Sequence, residues 1–283
     1  TMPMDAPELT VAIAGLGLIG GSLALALKAV GGYRVAGLNR NETVLEQARQ
    51  AGAVDAVGEA ALPCAGVLVL ALPPAAAIAF LRRHADRLRP GTIVTDVCGV
   101  KRPVMDACLP LCRERGLVFI GGHPMAGKER GGFGNADAGL YRGASWILTP
   151  AADTPAEALG TLRRLTLAAG AGTVTITSPE RHDEIIAFTS QLPHVLAGAY
   201  VRSPRCEERQ GFSAGSFRDV SRVAAVDEAL WTELFLQNAD NLTREIDTMT
   251  AHLAELREAL AAGDAARVQA LLRAAREQKE RWG

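Results

Sequence analysis

The feature that most constrains this chain is a run of twelve residues near its start, Val11–Ser22, which reads "VAIAGLGLIGGS". It joins a short apolar stretch, read as a buried strand, to a leucine- and alanine-rich stretch, read as a helix. Between them Gly15, Gly17 and Gly20 fall in G-x-G-x-x-G spacing. Gly15 permits the tight turn, Gly17 lets a ligand approach bare backbone, and Gly20 allows close helix–strand packing. Unpaired N–H groups at the helix start then favour phosphate. The run reads as a dinucleotide-binding turn, with Leu16 and Ile19 beside the glycines; a turn that merely packs tightly is the alternative.

An NAD site usually presents an acid to the ribose 2′-hydroxyl about 20 residues further on. Here Asn39 and Arg40 stand at that point. Asparagine removes the charge that would repel a 2′-phosphate, and Arg40 can pair with one. The pair leans to NADP; if Arg40 only stacks on adenine, NAD serves as well.

The same run is the one segment apolar enough to be mistaken for a targeting signal. Asp5 and Glu8 precede it in place of Lys or Arg, and glycines interrupt it, so a strand and helix explain it better. The leading Thr1–Met2 reads as a remnant ahead of the natural start. At 283 residues the length suits about two domains. A formal net charge of −1 argues against nucleic acid as a general partner. Five cysteines without C-x-x-C spacing point to the reducing cytoplasm, and no metal site is indicated.

Apolar runs at Thr10–Ala14, Arg34–Leu38, Gly66–Ala71, Thr92–Asp96, Val118–Gly121, Ser145–Thr149 and Thr173–Thr177 read as strands. Helix-length stretches such as Val44–Ala51, Ala75–Arg89 and Arg102–Arg115 separate most of them. That rhythm predicts a parallel sheet covered on both faces, an α/β Rossmann-type dinucleotide-binding domain over 1–178. At Ser178-Pro179 the pattern becomes helical, with Ser178 as N-cap and proline at the first helical position. Asp227–Ala261 and Asp264–Arg281 carry apolar residues at three- and four-residue spacing, so 179–283 reads as an all-helical domain. Its apolar stripe suits burial against a second copy, giving a homodimer; packing back on the first domain is the alternative.

Two polar features remain within the sheet. Asp96, in "TDVCGVK", ends a strand, where parallel sheets face the ligand crevice. It reads either as lining the nicotinamide region or as capping the helix that starts near Lys101. His123, in "GGHPMAGKERGG", lies in a glycine-rich loop after Val118–Gly121 and points to the same crevice. Oxidation of an alcohol by hydride transfer needs a base near neutrality, and histidine suits that task. Pro124 stiffens the loop behind it. A hydrogen-bonded core histidine is the alternative.

Taken together, "GLGLIGGSLA", "DVCGVK", "GGHPMAGKERGG", "SPERHDEIIAFTSQLPH" and "FRDVSR…LW" resemble the prephenate/arogenate dehydrogenases of tyrosine biosynthesis, from about Val11 to Asn241. The resemblance implies oxidation of a cyclohexadienol by NAD or NADP with loss of carbon dioxide. Prephenate would give 4-hydroxyphenylpyruvate, and arogenate would give tyrosine. It implies that His123 is the base on the ring hydroxyl and that Arg222 binds a substrate carboxylate. Ser190, Gln191 and His194 map to the substrate pocket. Trp231 maps near it, core packing being the alternative. His182 and Asp183 match the family's helix start and read as a cap or domain-interface pair, and Arg218 as a surface partner of Asp219.

The chain departs from the family at Gly99, where many relatives carry a serine that helps orient the catalytic histidine. Cys98, Ser190, a backbone group or a water is then expected to hold His123. Some relatives append a regulatory domain; with the sequence ending after the helical stretch none is expected here, and any tyrosine inhibition is expected to act at the active site. A β-hydroxyacid dehydrogenase is the competing enzyme class, but it relies on a lysine in the helical part, and none lies between Pro179 and Glu277. A non-enzymatic dinucleotide sensor would have no reason to gather His123, His194 and Arg222. Lys128, beside the histidine loop, disfavours the ammonium of arogenate and tips the reading to prephenate.

Overall fold

The computed structural model of the chain describes residues 8–283; Thr1–Met2 and Asp5, singled out above, lie outside them. The first half opens with β1 (Leu9–Ala14), α1 (Leu18–Val30), β2 (Tyr33–Leu38), α2 (Glu42–Gln50) and a short edge strand, β3 (Ala56–Val57). The alternation continues through β4 (Val67–Leu70), α3 (Pro74–His84), β5 (Ile93–Asp96), α4 (Arg102–Glu114) and β6 (Val118–Pro124). β7 (Ser145–Thr149), α5 (Ala156–Ala168) and β8 (Thr173–Ile176) complete an eight-stranded sheet in the order β3-β2-β1-β4-β5-β6-β7-β8. β4 is buried at every position, so it needs cover on both faces. One layer comes from α1, α2 and α5, around Leu23, Leu27, Leu45 and Leu162. α3 and α4 form the other, around Leu81, Val104 and Cys108. All five cysteines are free.

The sheet is not parallel throughout. β6 and β7 run antiparallel, with His123 opposite Ile147 and Pro124 opposite Trp146. The 125–144 connection holds only a short 3₁₀ turn, Phe133–Asn135, so the chain re-enters the sheet at the end it left. A return of that kind is antiparallel, because a parallel neighbour needs a full crossover. The same pairing corrects the reading of His123 as a loop residue: β6 runs through it to Pro124. The histidine is carried on rigid strand.

The helical half consists of α6 (Pro179–Ile186), α7 (Leu192–Val201), α8 (Gly215–Ser221), α9 (Glu228–Gln237), α10 (Ala239–Ala261) and α11 (Ala265–Trp282). Ser178 caps α6 by accepting a hydrogen bond from Arg181 N at 3.1 Å. A π turn, Ala187–Gln191, joins α6 to α7. The stretch expected as one helix from Asp227 to Ala261 is broken at Asn238, whose backbone leaves the helical region (φ −124°, ψ 25°). Its buried side chain donates to Asp183 O at 2.9 Å and to Gln191 Oε1 at 2.8 Å, which holds the chain in that bend. The apolar stripe divides: Leu234 and Leu242 are buried, whereas Leu236, Leu253 and Leu260 are exposed. No helix among the described residues is long and apolar enough to cross a membrane.

The glycine turn yields a paired test. Gly15 sits at φ +96°, and a Cβ there would overlap the Ala71 carbonyl, whereas one on Gly17 would meet nothing within 4 Å. Gly15→Ala should cost about 2 kcal/mol or more and lower Tm by about 4–8 °C. Gly17→Ala should leave Tm unchanged in the same thermal melt and weaken dinucleotide binding instead.

Candidate active site

The carboxyl ends of β1, β4 and β5 open onto a crevice that the helical half roofs. At its floor the N-cap of α1 is Gly17, which offers no side-chain cap. The first N–H groups of that helix, under the open space at Gly17, therefore lack a partner of their own and suit a diphosphate. Gly20 allows no Cβ, since one would collide with the Gly15 carbonyl. Leu16 N donates to Asn39 Oδ1 at 3.2 Å, so Asn39 braces the turn as well as standing at the ribose position. Leu16 points into the core, Ile19 is half-buried and Arg40 is exposed. These residues fit a dinucleotide.

Asp96 takes neither role exactly as the sequence suggested. It is fully buried, and its carboxylate pairs with Lys101 Nζ and accepts from Cys98 N at 3.0 Å and Gly122 N at 3.1 Å. With its oxygens engaged inside the fold, it anchors the crevice wall and does not present its side chain to a cofactor.

His123 is half-buried at the end of β6 and its Nδ1 lies 2.8 Å from His182 Nε2. His182 Nδ1 lies 2.7 Å from Asp183 Oδ1. Asp183 also accepts from Lys101 N at 2.7 Å and Arg102 N at 2.9 Å, which caps the start of α4, and from Arg102 Nε at 3.1 Å. Burial alone would raise the Asp183 carboxyl, but the hydrogen bonds from His182 and these two amides outweigh it and hold the group below the usual carboxylate range. Burial, then His182 and Lys101, hold His123 well below the ordinary histidine value. Neither His182 nor Asp183 was assigned to the chemistry from sequence. The adjacent His-Asp pair at a helix start was the available signal, and it reads equally well as a cap.

The serine missing at Gly99 also finds its account here. A Cβ on Gly99 would lie 3.4 Å from both δ carbons of Leu234, so α9 packs closely over that loop. The Cys98 thiol turns to Leu72 O, 3.3 Å away, and the Ser190 carbonyl accepts from His194 Nδ1 at 2.7 Å. His182 is what holds His123.

α9 also reaches α3, where Glu233 Oε1 accepts from Ala75 N at 2.6 Å. On the same helix Trp231 stacks on His194, with ring centroids 3.8 Å apart. Burial, with the Arg222 charge adding to it, lowers the His194 pKa. Ser190 is half-buried and Arg222 is exposed, so the four residues form a cationic and aromatic cluster on the helical half. Gln191 does not join it. It is buried, donates to Leu234 O at 3.2 Å and accepts from Asn238, so its amide is consumed in packing. Arg218 and Asp219 form an exposed pair at 3.8 Å. Lys128 Nζ lies 3.1 Å from both Asn135 O and Asp137 Oδ2, so its charge is met within its own loop.

Asp183 has a stability signature. Its folded pKa is depressed, so its contribution is present above the ordinary carboxylate pKa and is lost as pH falls through the folded value. Asp183→Asn should cost on the order of 3 kcal/mol at pH 7. Thermal melts across an acid series should also show a weaker loss of stability below about pH 4 than in the parent.

Residues 23–175 match the family description "Prephenate dehydrogenase, nucleotide-binding domain", and 178–274 match "Prephenate dehydrogenase, dimerization domain". The chain is 34% identical over 264 residues to a cyclohexadienyl dehydrogenase of Zymomonas mobilis, covering 90% of this chain and 89% of that one. It is 31% identical over 258 residues to a prephenate dehydrogenase of Bacillus subtilis, covering 88% of this chain and 69% of the relative. The crystal structure of prephenate dehydrogenase from A. aeolicus with hydroxyphenyl propionate and NAD+ superposes with a TM-score of 0.86 at 26% identity, covering 98% of this chain and 99% of that one. With both halves matched and its length so largely shared, this chain belongs to the prephenate dehydrogenase family.

Proposed function

We propose that the chain catalyses the oxidative decarboxylation of prephenate to 4-hydroxyphenylpyruvate in tyrosine biosynthesis, with NAD(P)+ as hydride acceptor. The observation that carries this reading is the hydrogen-bonded line His123–His182–Asp183 at the crevice. An ionised carboxylate only accepts, so His182 must place its proton on Nδ1 toward Asp183. His182 Nε2 is then bare and accepts from His123 Nδ1–H. The lone pair of His123 is left on Nε2, the form a general base needs. As His123 takes the proton of the ring hydroxyl, the imidazolium is stabilised through His182 by the carboxylate beyond it.

When bound, the dinucleotide supplies the acceptor for the hydride leaving the ring carbon that bears the hydroxyl. The chain's own part is orientation and charge. Arg222, with His194 and Ser190 beside it, meets the substrate carboxylates, and Trp231 buttresses His194 by stacking. Asn39 and Arg40 favour NADP over NAD. The exposed leucines of α9 and α10 are covered by a second copy, giving a homodimer free in the cytoplasm.

One observation favours a second substrate. Lys128 is the residue that tipped the sequence reading to prephenate, and its charge is taken up by Asp137. Arogenate is therefore the second reading.

Assays of prephenate and arogenate, each with NAD+ and NADP+, test the proposal; turnover should be greatest with prephenate and NADP+. Failure in all four would overturn it. His123→Asn should lower kcat by about 10²–10⁴-fold. Arg222→Ala should raise the KM for prephenate with a smaller effect on kcat, because it removes a carboxylate partner.

A further inference from the structure

Among the described residues, two acid–base pairs have both side chains fully out of water: neutral His182 with Asp183, and the ion pair Lys101–Asp96. The second pair has no part in the line of hydrogen bonds described above, yet it borders that line through the Gly122 and Lys101 amides. We propose that the buried Asp96–Lys101 pair is a positioning and electrostatic support for His123, fixing the strand that carries it and keeping a cation under its imidazole. The proposal rests on the reading of His123 as the base.

The geometry ties the pair to His123 from two sides. Asp96 Oδ1 accepts from Gly122 N, the peptide group just before His123. Gly122 has no room for a Cβ, which would meet the Asp96 carbonyl and Thr95 Oγ1. A Cβ on Gly121 would overlap Thr149 Oγ1 and press on Lys101 Cδ. The two glycines that open "GGHP" thus let β6 lie directly on the pair. From the other side, Lys101 N donates to Asp183 Oδ1, the oxygen that also takes His182 Nδ1. The pair therefore fixes both the backbone that carries the base and the carboxylate behind it.

Stability alone gives little reason for this arrangement. Apolar side chains of similar volume commonly do as well in place of a buried ion pair. A consequence for charge does give one. The anionic end faces the amides of Cys98 and Gly122. The Lys101 ammonium lowers the pKa of His123 and His182 alike. The other titratable groups around the pair and the two imidazoles are Cys98, just after β5, Arg102 and Cys108 on α4, and His182 and Asp183 on α6. Both thiols are held protonated by burial. Arg102 is engaged by Asp183 and Asp240. Lys101 is the cation whose removal His123 would register.

Lys101→Gln keeps a donor for Asp96 and drops the charge. Two readouts are taken on the full chain: the pH profile of kcat/KM, and the titration of the His123 imidazole by NMR, assigned with His123→Asn. Lys101→Gln should move both upward by about one pH unit, with KM at the plateau within about twofold. Lys101→Arg should restore the parent position, and Asp96→Asn, which leaves the cation unpaired, should move both downward. If Lys101→Gln does not fold, the Asp96→Asn shift decides alone. An imidazole titration that stays in place in these variants overturns the proposal, whatever happens to kcat. A titration that moves while the kcat/KM profile stays in place upholds the electrostatic coupling and removes His123 from the role of base.

Discussion

Asp183 is the point through which the two halves of this molecule are joined. Its carboxylate takes four donors: His182 Nδ1, the peptide nitrogens of Lys101 and Arg102, and Arg102 Nε. The residue lies on α6, yet three of those donors come from the start of α4, in the nucleotide-binding half. Arg102 continues the junction with a two-pronged pair to Asp240 and a bond to Asn238, bringing in α10. A buried carboxylate with this many donors is costly to disturb, since any one loss leaves charge out of water. The crevice between the halves is thereby set to one geometry at its inner edge.

That junction explains why His123 is carried where it is. His123 lies near the end of a strand that pairs with β5 through Ile120 and with β7 from Gly121 to Pro124, so its backbone is held by β7, and its ring is aimed by a histidine that Asp183 orients. The proposed catalytic arrangement is a by-product of how the halves are held together. On the opposite side of the crevice the turn at Gly15–Gly20 keeps backbone amides bare. α9 closes over the top through Glu233 and Leu234. Its Trp231 and the neighbouring Arg222 supply the apolar and cationic surface that a small dicarboxylate would need.

Much of this was legible in the residues. The glycine spacing after a strand, the strand–helix rhythm and the change at Ser178-Pro179 all reappear as real elements, because local turn chemistry and periodicity dictate them. What the residues could not show has one cause. Asp96 and Gln191 carry polar groups that suit a ligand, and nothing local says that Lys101 or Asn238 will consume them. Lys128 looked like a free cation until Asp137 came back across its own loop. His182 and Asp183 read as a cap or domain-interface pair, and the link onward to His123 was hidden because that residue is 59 residues away. The glycines of "GGHP" allow close approach to a buried ion pair, which no local pattern announces.

Sequence by itself determined the glycine turn, the two-part architecture and, through the family's motifs, the class of chemistry. Each of these depends on residue types at short, regular spacing, where steric and hydrogen-bonding preferences act within a few residues. Tertiary structure alone decided which polar groups remain available for chemistry. It turned β7 antiparallel, broke the long helix at Asn238 and set His182 and Asp183 behind His123. Those outcomes depend on hydrogen bonds between segments far apart in the chain, and a buried donor or acceptor takes whatever partner the packing brings within about 3 Å.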